Sequence, residues 1–176
     1  TMMFGHVENY YDIAQHMHEL KSLQLQSNEI TEFVPLPYVA SEAPMYLRGL
    51  SRSGPSFRES VLVHSISRIY FNELIKNIQG SWVKMGYAGL SYLLDSGIND
   101  VGGILMNETI TRSAGATHGQ ELDLIYIKNI VESKNMKLIE RNTTYDLLKE
   151  PTKADFDKLK LKLKDVNHFD QERSFT

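Results

Sequence analysis

Residues 99–119 read NDVGGILMNETITRSAGATHG, an apolar run that ends in a crowd of polar side chains. Val101, Ile104, Leu105 and Met106 supply the run, and Asn107, Glu108, Thr109, Thr111, Arg112 and His118 follow it. A strand that opens at its C-terminal end into hydrogen-bonding groups is how a βα barrel builds a site. Gly102 and Gly103 just before it suit a point where a ligand or another backbone comes close. Three other places carry similar sets: His6 and Glu8; Tyr38, Glu42, Arg48 and Arg52; Gln79, Ser81, Trp82 and Lys84.

His6 and Glu8 are two apart, so on a strand they share a face. They could form a general acid–base or substrate-orienting pair; the plainer alternative is a hydrogen-bonded turn. Arg48 and Arg52 sit on a glycine-containing loop and could hold a carboxylate or phosphate, against the alternative of a solvated loop. Trp82 could stack on a planar ligand or pack between sheet and helix. His64 lies among apolar residues and reads as a core histidine. His16 and His18, two apart on a helix, do not share a face, which argues against a metal site there. There is no G-x-S-x-G, no Walker A sequence and no H-E-x-x-H, so no local motif identifies a reaction.

The elements that must position these groups alternate between strand and helix, the signature of a parallel α/β sheet. Strands are expected at Met2–Gly5, Glu32–Leu36, Lys76–Val83 and Asp100–Met106, with Pro35 and Pro37 ending regular pairing of the second. Helices are expected at Asn9–Leu25, Phe57–Ile75, Tyr87–Leu94 and Gln120–Ser133. Ser56 and Glu59 have capping-box spacing at the second of these. Tyr38–Pro55 reads as a long loop, and Met136–Asn142 as a last extended segment. Lys153–Lys164 is a charged amphipathic run. Four strands alternating with four helices make half of an eight-stranded barrel, which typically needs about 250 residues in full. The free edges of such a half invite association.

The chain has 176 residues, a net charge of −3, 41% hydrophobic and 23% charged residues, and no cysteine. That composition is ordinary for a soluble domain. It gives no case for nucleic acid or an acidic membrane surface. No apolar run approaches the roughly 20 residues of a membrane span, and a cytoplasmic location is expected. Without cysteine there is no disulfide and no thiolate ligand within these residues. The chain opens TMMFGHVE, with a strand already under way at Thr1, so a preceding part of the protein is expected.

Five blocks together carry a resemblance. They are TMMFGHVE (1–8), EFVPLPYV (32–39), APMYLRGLSRSGPSFRES (43–60), NIQGSWVKMG (77–86) and NDVGGILMNETITRSAGATHG (99–119). In this order they resemble the C-terminal half of the radical S-adenosylmethionine enzymes that make the deazaflavin chromophore FO. The likeness is strongest to the branch that joins L-tyrosine to 5-amino-6-(D-ribitylamino)uracil. It implies the C-terminal half of a TIM-type barrel over residues 1–148, four parallel strands with helices on the outer face, and a charged helical tail over 149–176. It implies S-adenosylmethionine and a 4Fe–4S cluster in the full-length enzyme, with the CxxxCxxC ligands in a missing N-terminal half-barrel. The chain alone is then expected to be inactive. By implication, S-adenosylmethionine is cleaved reductively, hydrogen is taken from tyrosine, its Cα–Cβ bond breaks, the 4-hydroxybenzyl group joins the uracil ring, and a glycine-derived imine leaves. A second FO synthase subunit or domain is a further implied partner. His6, Glu8, Gln79, Ser81, Asn107, Glu108 and Arg112 are the expected substrate-binding residues. The rivals are the menaquinone-pathway aminofutalosine synthase, which shares a GHVE-like block, and a non-catalytic half-barrel binding module. The Met45–Ser56 loop favours the deazaflavin branch.

Overall fold

Asn9 sets where the first helix begins. Its side chain accepts from the Tyr11 and Asp12 N–H groups, and Asp12 accepts from the Asn9 N–H in return. This capping box satisfies donors that a helix leaves orphaned, so α1 (Tyr10–Ser27) follows directly on β1 (Met2–Phe4) and a bend. The computed structural model describes residues 1–103, 113–115, 123–155 and 157. They form two compact units, Thr1–Leu122 and Asp123–Thr176.

In the first unit the expected second strand is two short ones, β2 (Glu32–Phe33) and β3 (Pro35–Pro37). The prolines do not end the pairing, contrary to expectation. β3 runs parallel to β1, with Met2 opposite Pro35 and Phe4 opposite Pro37. Val34 C=O accepts from the Met2 N–H, and the Tyr38 N–H donates to Phe4 C=O. The residues whose backbone groups face β1 are therefore 34 and 38, in step with Leu36 between them. The prolines fall at the alternate positions, where that ladder needs no donor. β2 pairs on the other side, parallel to β4 (Asn77–Ile78), and Gln79 bridges to Asp100, again parallel. The described segments thus lie side by side in chain order, β1, 32–37, β4 and Asp100. This is a mixed α/β unit built on small parallel sheets.

Several boundaries differ from expectation. The 38–55 loop contains one helical turn, α2 (Pro44–Leu47), which starts on the proline, a residue already suited to a first helical position. α3 (Phe57–Phe71) ends four residues before the expected Ile75, because Asn72 takes φ 41° and leaves helical geometry. The third strand stops short of Val83: Trp82 and Val83 already belong to α4 (Trp82–Asp95), which is kinked at Gly86. Of the expected fourth strand, 104–106 lie outside the described residues, and Asp100 contributes only the bridge.

Period-two alternation explains the two sides of these sheets. Phe4, Phe33, Pro35 and Ile78 are fully buried. Phe33 packs on Phe71 with ring centroids 4.9 Å apart, and Phe4 meets His64 edge-on at 6.5 Å. These contacts put α3 on that face. At Gly80 a Cβ would come within 2.5 Å of Ile98 and 3.2 Å of Leu93, which puts α4 on the same face. Met3, Glu32, Leu36 and Gln79 alternate to the opposite face, where they are half-buried or exposed. Arg68 fastens α3 to the strand starts, donating to Gly97 C=O, Lys76 C=O and Asn99 Oδ1.

The second unit holds α5 (Leu124–Ser133), capped by the Asp123 carboxylate. Residues 120–122 of the expected helix lie outside the described residues. In place of one extended segment at Met136–Asn142 there is an antiparallel pair, β5 (Glu140–Arg141) with β6 (Leu147–Lys149). The turn between them is built by Asn142, whose Oδ1 accepts from the Thr144 and Asp146 N–H groups. Of the amphipathic run, 153–155 and 157 are helical, and 158–164 lie outside the described residues.

Candidate functional site

The end of β1 is where the expected pair forms, for a different reason from the expected one. The strand stops at Phe4 and Gly5 turns with φ 95°, so His6 and Glu8 are not on a strand face. They meet in a bend. A Cβ on residue 5 would sit 2.2 Å from the Pro55 ring, so only glycine allows the loop to cross here. Glu8 Oε1 accepts from the Gly5 N–H at 2.5 Å and Oε2 from the His6 N–H at 3.0 Å. His6 Nδ1 lies 2.7 Å from Glu8 Oε2 and also 2.7 Å from the Val7 nitrogen. The Val7 N–H donates to Nδ1 in a direction set by the backbone, and the Glu8 carboxylate pairs with the ring only when the ring is protonated. The ring stands edge-on to Tyr38, centroids 5.7 Å apart.

Arg52 closes this cluster. Its Nη2 donates to Glu8 at 3.0 Å and to Glu59 at 2.5 Å, and its Nη1 to Glu59 at 2.9 Å. Its backbone N–H donates to His6 C=O. Burial alone would raise the Glu8 pKa, but the bonds from Gly5, His6 and Arg52 outweigh it and bring it down to about 2. The Arg52 hydrogen bond likewise lowers Glu59, and Arg52 itself is raised by the two carboxylates. Arg52 was expected as an anion holder; here its guanidinium is engaged by this chain's own carboxylates. Only half of the Ser56–Glu59 capping box forms: Ser56 Oγ accepts from the Glu59 N–H, while the Glu59 carboxylate turns to Arg52.

Gln79 belongs to a second cluster, at the end of β4. Its Nε2 donates to Glu32 Oε2 at 3.0 Å. Its Oε1 lies beside Gly102, where an added Cβ would approach it to 3.2 Å. Gly102 has φ 78° and its N–H donates to Asp100 Oδ1. Ser81 is the N-cap of α4 through its backbone, with no capping bond from its hydroxyl. The structure therefore brings His6 together with Glu8, and places Gln79 and Ser81 two residues apart at the β4–α4 junction. Asn107, Glu108 and Arg112 lie outside the described residues, as do Thr109, Thr111 and His118.

Trp82 is buried and its indole N–H donates to Gly103 C=O at 3.2 Å, which is the packing alternative. His64 is fully buried, with Nδ1 donating to Ser60 C=O at 2.7 Å and its pKa lowered by burial. Among the described residues its Nε2 has no hydrogen-bond partner. The sequence did not mark Glu32 or Glu59 as parts of these clusters, while Arg52 was expected to hold an anion and holds this chain's own carboxylates. Only Glu59 left a signal, its spacing from Ser56. Among the described residues no group of three or more His, Cys, Asp or Glu is placed to hold a metal. Among them, too, no helix is long and apolar enough to cross a membrane.

Residues 27–154 match the family model described as the CofH/MqnC C-terminal region. The chain is 44% identical over 149 residues to the 5-amino-6-(D-ribitylamino)uracil–L-tyrosine 4-hydroxyphenyl transferase of Methanopyrus kandleri, a match covering 85% of this chain and 40% of that protein. It is 42% identical over 148 residues to the protein of that name from Methanocaldococcus jannaschii, covering 84% and 41%. It is 43% identical over 145 residues to the FO synthase of Nocardia farcinica, covering 82% and 17%. The chain thus spans at most about two fifths of the length of these relatives. With the family model matched over more than two thirds of its length, the chain belongs to the CofH/MqnC C-terminal region family.

Proposed function

We propose that this chain is the C-terminal part of an enzyme that transfers the 4-hydroxybenzyl group of L-tyrosine to 5-amino-6-(D-ribitylamino)uracil in FO synthesis. The observation that carries the reading is the 44% identity over 85% of the chain to a relative named for that transfer. The chain-order parallel pairing of β1, 32–37, β4 and Asp100 supports residues 1–148 as half of a barrel, with 149–176 as a charged tail. The full protein works in the cytoplasm, with a second FO synthase subunit or domain as its partner.

S-adenosylmethionine and a 4Fe–4S cluster are the cofactors this reading requires. The residues present do not fit the cluster, which takes thiolate ligands, because the chain has no cysteine. Its ligands belong to the part of the relatives' length that this chain does not span. What this chain supplies is binding and positioning. His6 presents its ring to substrate with Nδ1 taken up by the Val7 N–H and the Glu8 carboxylate, which leaves Nε2 to meet the substrate. Glu8 acts through His6, since both of its oxygens are engaged by this chain. Gln79, Ser81, Asn107, Glu108 and Arg112 bind the uracil and ribityl groups. The barrel wall keeps water from a reactive intermediate.

The test is anaerobic reconstitution of the full-length protein with S-adenosylmethionine, tyrosine and the uracil, followed by mass spectrometry of the product. Formation of the tyrosine-derived adduct is expected. Turnover of an enolpyruvyl benzoate substrate in its place would assign the chain to the aminofutalosine branch, and turnover of neither would make it a binding module.

A further inference from the structure

Gln79 has two chemically opposite ends, an NH2 that donates and a carbonyl that accepts. Which end faces a ligand decides what that ligand must offer. Here the choice is made by Glu32. A carboxylate can only accept from an amide, so the Nε2–Oε2 bond of 3.0 Å admits one orientation of the Gln79 side chain. The carbonyl is turned from Glu32 toward Gly102, and glycine at 102 keeps a side chain out of the space beside it. Register places Glu32 opposite Asn77, and alternation then puts Gln79 on the same face, the one away from Phe33, Ile78 and α3. Neither residue is part of the apolar core.

We propose that Glu32 is a positioning residue that fixes the Gln79 amide with its carbonyl outward, so that position 79 receives a hydrogen-bond donor of the uracil substrate. This rests on the functional reading above. A uracil ring offers N–H donors suited to an amide carbonyl, and an amide free to rotate would present its NH2 part of the time and repel them.

The experiment uses the full-length, reconstituted enzyme and separates KM from kcat for each substrate. Glu32→Ala is expected to raise KM for the uracil about tenfold with kcat little changed, the pattern of a lost binding contact. KM for tyrosine stays as it was. Gln79→Ala does the same, and the double variant is no worse than either single one, because both remove one unit. Glu32→Gln, whose amide can donate to the Gln79 carbonyl as well as accept from its NH2, no longer fixes the orientation and is expected to raise KM for the uracil as Glu32→Ala does. A Glu32→Gln or Glu32→Ala enzyme with an unchanged KM for the uracil would overturn the inference, since the carboxylate would then not be what orients the amide. So would additive losses in the double variant, or an equal rise in KM for tyrosine. If Glu32→Ala lowers the thermal midpoint too far to assay, the isosteric Glu32→Gln and the Gln79→Ala variant still decide it. A parent enzyme that forms no adduct overturns the functional reading itself.

Discussion

Replacing Glu8 by glutamine isolates what the carboxylate at the β1 end contributes. Its oxygens accept from the Gly5 and His6 N–H groups and from Arg52. The folded pKa of about 2 lies below the ordinary 4.5. At 1.36 kcal/mol per unit, that difference amounts to roughly 3 kcal/mol at neutral pH. Solvent lowers the figure, because the Arg52 side chain is 40% exposed. Arg52 also keeps its two bonds to Glu59 in the variant, so no cation is orphaned. Against that, glutamine has one acceptor oxygen for two backbone donors, and losing an acceptor costs about 1–3 kcal/mol. We expect a loss of about 2–3 kcal/mol near neutrality. A folded pKa that is depressed gives stability that is complete above the unfolded value and is lost as pH falls through the folded one. The gap between parent and variant should therefore hold above about pH 4.5 and close toward about pH 2. Urea unfolding at a series of pH values measures it. A variant whose stability runs parallel to the parent's down to that pH would refute the reasoning, because the carboxylate would then titrate as an exposed one does.

Gly5→Ala should destabilise by about 2–4 kcal/mol, from a positive φ and a Cβ driven into Pro55; a denaturation midpoint within error of the parent would show that the loop simply moves aside. Phe71→Ala should cost about 3–5 kcal/mol in chemical denaturation, since Phe71 is fully buried against Phe33, and a loss under about 1 kcal/mol would contradict that packing. In the full-length enzyme, Arg112→Ala or Glu108→Ala should lower adduct formation about 30-fold or more with little change in thermal midpoint, and normal turnover in both would remove them from the substrate site.

The amino-acid order carried the alternation of strand and helix, because burial of one face imposes periods of two and 3.6 on local sequence. It carried the start of α3 at Phe57 through Ser56, and the packed role of Trp82 was one of two readings open to it. The five ordered blocks carried the family. Local order also misled in instructive places. Pro35 and Pro37 looked like breakers, but whether a missing N–H matters depends on which neighbour a strand faces, and that is set by register with β1. His6 and Glu8 looked like strand neighbours, and Gly5 made them a bend instead.

The partnerships that define the two clusters were decided only by tertiary structure. Arg52 reaches Glu8 across 44 positions and Gln79 reaches Glu32 across 47. No periodicity encodes such a pairing. A carboxylate on a strand looks the same in sequence whether it meets solvent, a substrate or an amide, and only the parallel register that sets β2 beside β4 gives Glu32 its partner. Sequence thus determined which residue types stand at the strand ends, through local hydrophobic pattern and capping. The fold determined which of them hold one another in place, because hydrogen-bond geometry between distant segments exists only once the sheet has formed.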